Sequence, residues 1–416
     1  MNFICGLDIT GIIFCALSAV LAIYGAAVVV FIAVLFFKGT GRDGRDSADA
    51  GDSGLPGVSI VIPFRNEERN LAALLESLAK QDYRGMMEVI LIDDQSDDNG
   101  VNVVRDFLQH SPGIYIKIIT LQPSREIKLT SKQQALDLGV DTASYPLIAF
   151  TDADMILEPN WIKSLVDTHL STQSALVFGH TAIINNKKGF LKRLFASLES
   201  FQLSYLFSFA HIFAKLGLTG SCMGNNILVT KDAYQQCGGQ RGVGYTIVED
   251  RALLELMRKK KFKTCAAEPF TVTARTYPSE SIKQFMNQMA RWATGGLRPG
   301  GGLFAAGLLL LAQNVIFLLA IPLTILLVIF LLVTPINILL LWVWGAIYRV
   351  TVTPVFLTAA NFVLTWVFIA VSFAQNRSPA PKWLFPVHYL FMMAETAVFG
   401  VMLIFRPKIR WKGRKL

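Results

Sequence analysis

The chain has 416 residues, with 39 Lys and Arg against 30 Asp and Glu for a net charge of +9, and is 53% hydrophobic but only 17% charged. That balance excludes a disordered tail protein and an ordinary soluble enzyme, because so large an apolar fraction places part of the chain in lipid. At roughly 150 residues per domain the length allows two or three units.

The first expected element is a spanning helix at 9–37. No residue from Ile9 to Phe37 is charged, and the run exceeds the roughly 20 residues that cross a bilayer. Nothing basic precedes it, as a secretory signal would require, while Lys38, Arg42 and Arg45 come directly after it. By the positive-inside tendency, the chain on that side of the helix is cytoplasmic. Residues 38–56, rich in Gly, Asp and Ser, read as a flexible linker.

A soluble block is expected at 57–298. Val58 to Ile62 is a short apolar run closed by Pro63, Glu88 to Ile92 is another that ends at Asp93 and Asp94, and Leu147 to Thr151 is a third that ends at Asp152. Between the first two, Leu71, Leu74, Leu75 and Leu78 fall at helix spacing. Strands alternating with helices imply parallel βαβ units, whose ligands bind beyond the carboxyl ends of the strands. Asp93-Asp94-Gln95-Ser96 and Asp152-Ala153-Asp154 would therefore project from one edge of one sheet. An Asp-x-Asp alone is most often an exposed turn; after a buried strand its hard oxygens suit Mg²⁺ or Mn²⁺ shared with a diphosphate.

Further along, Phe190, Leu191, Leu194, Phe195, Leu198 and Phe201 accompany Lys187, Lys188, Lys192 and Arg193, a pattern that fits either an interfacial helix or core packing. Val248-Glu249-Asp250 precedes a helix. The two acids are either favoured N-terminal charges or include a general base for an attacking hydroxyl. Gln288, Arg291 and Trp292 stand at i, i+3 and i+4, beside a stripe of Ile282, Phe285, Met286 and Met289. One helix face thus gathers an amide, a guanidinium able to clamp phosphate and an indole able to stack on a sugar.

From Pro299 the chain turns apolar again. Pro299 to Tyr348, Val350 to Asn376 and Trp383 to Phe405 read as about four helices over 299–405, and 406–416 is a basic cytoplasmic tail. Membrane flanking accounts for much of the positive charge, so no nucleic-acid partner is expected. Five cysteines show no metal spacing.

Val58-Ser-Ile-Val-Ile-Pro-Phe-Arg-Asn-Glu67, Ile92-Asp-Asp-Gln-Ser96, Phe150-Thr-Asp-Ala-Asp154, Val248-Glu-Asp250 and Gln288-Met-Ala-Arg-Trp292 together resemble membrane-integrated family 2 glycosyltransferases. That group includes ceramide glucosyltransferase and cellulose, chitin and hyaluronan synthases, and the resemblance covers about residues 57–298. It implies a GT-A, Rossmann-like α/β domain flanked by transmembrane α-helices. It further implies that Pro63, Glu67, Asp93 and Asp94 line the nucleotide site, and that Asp152 and Asp154 hold a divalent metal, Mg²⁺ or Mn²⁺, with Asp152 beside the donor. Asp250 would be the base with Glu249 its neighbour, and Gln288, Arg291 and Trp292 would close over diphosphate and acceptor.

Two positions depart from the pattern. Ser131-Lys132-Gln-Gln-Ala-Leu-Asp137 stands where relatives often have Gly-Lys before Ala-Leu-Asn, so Lys132 joins the donor site by position alone. Gln95 stands where Gly is common, which puts the shape of that turn in question. Gly220-Ser-Cys-Met-Gly-Asn-Asn226 matches a loop near the acceptor and receives no individual roles.

The resemblance implies an inverting transfer from a nucleotide sugar, in first place a UDP-sugar, to a lipid acceptor at the bilayer. The catalytic domain would be cytoplasmic, as at a bacterial inner membrane. A processive synthase of a β-linked polysaccharide, with a glycan acceptor, is the first alternative. A non-catalytic nucleotide-sugar-binding membrane module is the second.

Overall fold

The computed structural model describes residues 9–37, 54–296 apart from 112, 125, 219 and 269–272, and, toward the C-terminus, 309, 311–316, 356–357, 359–372, 374, 382–393, 410–411 and 414–415. The chain divides into two units. One comprises Met1–Gly39, Pro299–Val371 and Phe385–Pro407; the other comprises Thr40–Arg298, Ser372–Leu384 and Lys408–Leu416.

In the first unit, α1 (Ile9–Phe37) is apolar all round. Its stretch Cys15–Leu35, 21 residues with mean hydropathy 2.6, makes it the one helix among the described residues long and apolar enough to cross a membrane. Helices without a hydrophobic drive between them associate through small residues and polar bonds, and α1 shows both. A side chain at Gly25 would strike Asn361 Oδ1 at 2.6 Å. The Asn361 amide donates to the Leu21 carbonyl at 2.9 Å and to Gln313 Oε1 at 3.1 Å, and Tyr24 meets the Thr365 hydroxyl at 3.0 Å. Most of the expected linker at 38–56 and of the four expected spans over 299–405 lies outside the described residues.

The second unit is built on a seven-stranded sheet. Its strands are β1 (Val58–Phe64), β2 (Met87–Asp93), β3 (Ile116–Thr120), β4 (Leu147–Phe150), β6 (Leu176–Phe178), β8 (Ile227–Thr230) and β9 (Thr264–Ala266). They run in the order β3-β2-β1-β4-β8-β6-β9. β1 lies parallel between β2 and β4, and β8 enters antiparallel to both β4 and β6. A three-stranded sheet of β5 (Met155–Leu157), β10 (Thr273–Thr276) and β7 (His180–Ile183) begins just past the Asp152 turn.

Alternation explains why the strands read as continuous apolar runs. Val58, Ile60, Ile62 and Phe64 face one core with Val89 and Leu91, whereas Val61 faces another with Ile90, Ile92 and Ile148. A parallel sheet covered on both faces favours apolar residues at nearly every position, and the exceptions inside β1 and β2, Ser59 and Glu88, are paired, the Ser59 hydroxyl donating to Glu88 Oε1 at 2.6 Å. The first core is closed by α2 (Glu68–Ala79), α3 (Gly100–His110) and α5 (Trp161–Thr172), with Leu71, Leu74, Leu75 and Trp161 fully buried. Each such leucine contributes about 1.5–3 kcal/mol by leaving water. The second core is closed by α4 (Ser131–Thr142), α6 (Phe190–Lys215), the short α7 (Lys231–Gln236) and α8 (Gly239–Val243), and α9 (Glu249–Lys259).

β1 runs one residue past Pro63, to Phe64, where the strand was expected to close. The β4 side of the ladder already stops at Val61 and Phe150, so Pro63 lies beyond it. The Phe190 segment packs as core over most of its length and leaves its tip exposed. Phe190 and Leu191 are exposed at the tip of α6, whereas the helix is buried from Ala196 onward and is core there.

The Gln95 turn keeps the shape that glycine would give it. Gln95 has φ of 56° and Asn66, in the facing turn, has φ of 54°. The two turns are laced together: Asn66 N–H donates to Ser96 Oγ, Asp97 N–H to Asn66 Oδ1 and Glu68 N–H to Asp98 Oδ2. The left-handed region costs a side-chain-bearing residue about 1–2 kcal/mol, and this network holds Gln95 there. Gln95→Gly should therefore leave the melting temperature of the protein unchanged or raise it by a few degrees, while the β-branched Gln95→Val should lower it; differential scanning fluorimetry reads both.

Candidate active site

The carboxyl edge of the sheet is set by register. Phe64 pairs with Asp93 and Val61 with Phe150, so the turns after β2 and β4 emerge on either side of β1. Asp93 and Asp94 are both buried. Asp93 Oδ1 accepts the Ser96 N–H at 2.9 Å, and the Asp94 N–H donates to the Phe64 carbonyl at 2.8 Å. Arg65 reaches over to the Asp94 carbonyl at 2.9 Å. Glu67, at the start of α2, is buried and accepts from the Asn70 amide at 2.6 Å, and Pro63 lies half-buried beneath. Pro63, Arg65, Glu67, Asp93 and Asp94 thus lie together on the β1/β2 side of the edge.

The β4 side is a small pocket lined by Lys132, Thr151, Asp152, Gly224, Gln240, Glu249 and Asp250, with Leu136, Phe150, Ile227 and Leu253 as its apolar wall. Lys132, in the first turn of α4, sits 2.9 Å from Asp152 Oδ1 and 2.9 Å from Glu249 Oε1. Its side chain is 19% exposed, against 34% and 12% for the two acids. Burial works against its charge, but the carboxylates of Asp152 and Glu249 outweigh burial and hold its pKa above that of an ordinary lysine. Lys132 thus stands between the Asp152 turn and the start of α9.

Glu249 and Asp250 occupy the first turn of α9. Asp250 is fixed by two backbone donors: Oδ2 accepts from Gly224 N–H at 2.8 Å and Oδ1 from Arg251 N–H at 2.7 Å. Burial, then the neighbouring Glu249 charge, push its pKa up to about 6, against the lowering effect of the Arg251 N–H, Lys132 and Arg291. A carboxylate so tuned is ionised at neutral pH yet basic enough to take a proton.

Gln288, Arg291 and Trp292 lie half-buried on α10 (Ile282–Gly296). The Arg291 charge acts on both Asp250 and Lys132. Of the expected apolar stripe, Phe285 and Met289 are buried and Met286 half-buried. Ile282 departs from it, 67% exposed at the helix start.

Asp152 and Asp154 are both half-buried beside the pocket, flanking a buried Ala153. Two hard, partly accessible carboxylates fit an octahedral Mg²⁺ or Mn²⁺ whose remaining ligands are diphosphate oxygens and water. Among the described residues no three His, Cys, Asp or Glu side chains gather to hold an ion by themselves. The residues thus fit an ion shared with a ligand.

Two contributors were not evident from the sequence. Gly224 supplies the N–H on Asp250, and a Cβ there would meet Asp250 Oδ2 at 2.8 Å and its Cβ at 2.9 Å. Gln133, fully buried behind Lys132, donates to Gln240 Oε1 at 3.2 Å and to the Gly244 carbonyl at 2.8 Å, and accepts from Thr246 N–H at 3.3 Å. It thereby ties α4 to the loop that delivers Glu249 and Asp250. The glycine inside Gly220–Asn226 was the available signal for the first; nothing local signals the second.

The family model described as Glycosyl transferase family 21 matches residues 14–308. The chain belongs to glycosyl transferase family 21. Ceramide glucosyltransferase 1 of Caenorhabditis elegans is 22% identical over 241 residues, covering 57% of this chain and 49% of that protein. An N-acetylglucosaminyltransferase of Bradyrhizobium diazoefficiens is 27% identical over 251 residues, covering 59% and 50%. The chain therefore spans about half the length of these relatives. Among solved structures, the mannosyltransferase PcManGT from Pyrobaculum calidifontis, in complex with GDP-Man and Mn²⁺, aligns over 94% of this chain and 100% of its own with 14% identity and a TM-score of 0.48. The motif resemblance named family 2 enzymes together with ceramide glucosyltransferase, and a ceramide glucosyltransferase is among the family 21 chain's relatives. The mixed α/β sheet with its acidic carboxyl edge has the plan that the resemblance implied.

The Gly224 contact leads to a direct test. Gly224→Ala should lower kcat for glycosyl transfer by about 10–100-fold, since small displacements of a reacting group cost this much, while the variant melts as the wild type does. Wild-type kcat in Gly224→Ala would show that the contact is dispensable.

Proposed function

We propose that this chain is a membrane-anchored, inverting glycosyltransferase that moves a hexose from a UDP-sugar to a lipid acceptor. The observation that carries the reading is Asp250, held by two N–H donors at a pocket shared with Lys132, Asp152 and Glu249. Asp250 takes the proton of the acceptor hydroxyl as its oxygen attacks the anomeric carbon. The bond from that carbon to the diphosphate breaks on the opposite face, so the configuration inverts. Lys132 and Arg291 offset the charge that builds on the diphosphate. A divalent ion held by Asp152 and Asp154 would supply Lewis-acid stabilisation of the same leaving group. Glu67, Asp93, Asp94 and Pro63 would receive the nucleoside at the β1/β2 turns, and Gln288 and Trp292 would face the acceptor.

Three features support a lipid acceptor. One relative is a ceramide glucosyltransferase, α1 is long and apolar enough to span a bilayer, and the tip of α6 exposes Phe190 and Leu191 beside Lys188, Lys192 and Arg193. In this reading the second unit and the basic tail are cytoplasmic. The N-acetylglucosaminyltransferase relatives support a second reading in which the acceptor is a glycan and the product an oligomer or polymer.

A donor screen with UDP-glucose, UDP-galactose and UDP-N-acetylglucosamine on purified membranes, with mass analysis of lipid and polymer fractions, separates these readings. We expect label in a lipid of one added hexose. Label in long glycans would favour the synthase, and inertness with bound UDP would favour a binding module. Asp250→Asn should abolish transfer and leave UDP affinity within about twofold, because the base is needed only for the chemical step; wild-type turnover in that variant would remove Asp250 from the mechanism.

A further inference from the structure

A buried carboxylate with no part in the transfer chemistry grips the segment leading into α10. Glu199 lies within α6 and is 5% exposed. Its Oε2 accepts the Ser279 N–H at 2.9 Å and its Oε1 accepts from the Ser279 hydroxyl at 2.8 Å. Taking a carboxylate out of water is costly unless its oxygens are paired, and such charge-assisted bonds are the strong kind. One turn earlier on the same face of α6, Phe195 meets Phe285 of α10 edge-on, with ring centroids 5.5 Å apart. Two contacts four residues apart on one helix thus fix the start of another. The helix is capped immediately afterwards, where Ser281 Oγ accepts from Gln284 N–H at 3.2 Å and Gln284 Oε1 accepts from Glu280 N–H at 2.9 Å.

The same segment is tied at its other end to the acidic edge. Thr276, the last residue of β10, pairs with Met155 of β5, and its hydroxyl donates to the Asp154 carbonyl at 3.3 Å. Residues 277–281 therefore form a five-residue strap from the Asp154 backbone to the helix that carries Arg291, and Glu199 holds Ser279 at its centre.

We propose that Glu199 is a positioning residue: through Ser279 it sets where α10 stands relative to the Asp152/Asp154 edge, and so holds Arg291 at the donor diphosphate. It rests on the proposed role of Arg291 in offsetting diphosphate charge. The grip itself, however, exists without a donor.

Two measurements on the full chain in detergent test it. In hydrogen exchange, Glu199→Leu, which fills the site with an apolar side chain and removes the acceptors, should speed exchange over 277–292 at least about tenfold and leave β1, β2 and β4 protected, because local opening tracks the loss of local bonds. In kinetics, Glu199→Leu should lower kcat about tenfold, yet lower it less than about twofold when Arg291 is already Ala, since coupled residues are not additive. Glu199→Gln should recover most of the activity, because the Ser279 hydroxyl can turn to accept from the amide. Should Glu199→Leu fail to fold, the Glu199→Gln/Ser279→Ala pair replaces it in both measurements. Unchanged exchange over 277–292, or the same fold loss of kcat in both Arg291 backgrounds, would overturn the proposal. A wild type inert toward every donor would instead sink the transfer reading, and exchange would still decide the grip.

Discussion

The ion bridge from Asp152 through Lys132 to Glu249 is the constraint on which the site depends. It joins three parts of the chain: the end of β4, the start of α4 and the start of α9. Three carboxylates, Asp152, Glu249 and Asp250, share one small pocket, where burial and then the Glu249 charge push the Asp250 pKa up. Lys132 is the cation among them that makes this arrangement stable without a bound ligand.

Around that bridge the backbone is shaped at specific points. Gly224 brings its N–H to Asp250 so closely that a Cβ there would meet Asp250 Oδ2 at 2.8 Å, and Gln95 accepts a left-handed turn so that the Asp93 and Asp94 turn can lace to the one after β1. Gln133 sits behind Lys132 and holds the loop before Glu249. These contacts decide where Asp250, Lys132 and the Asp93/Asp94 turn stand.

The parts legible in the sequence were those written in local pattern. β1, β2 and β4 are mostly apolar because both faces are covered, β2 ends on Asp93 and β4 runs into Asp152, so parallel βαβ logic places both acids at one edge of the sheet. The four leucines of α2 likewise declare a buried face. By contrast, β6 and β9 are three residues long and β8 runs antiparallel, too short and too irregular for periodicity to mark. Contacts such as Gly224 with Asp250 or Glu199 with Ser279 join residues 26 and 80 positions apart, and no local pattern encodes them. The Phe190 segment shows the same limit: its composition permits an interface or a core, and only the fold separates the exposed Phe190 and Leu191 from the buried helix that begins at Ala196.

The central claim is that Lys132 tunes Asp250 as the base of a glycosyl transfer. Its most direct test is the pH dependence of kcat/KM in the wild type and in Lys132→Gln. Asp250 must be ionised to accept a proton, so wild-type activity should fall as pH drops through about 6. The Lys132 charge lowers the Asp250 pKa, so removing it should move that acid limb to higher pH. An acid limb that stays in place or moves to lower pH in Lys132→Gln would contradict the account.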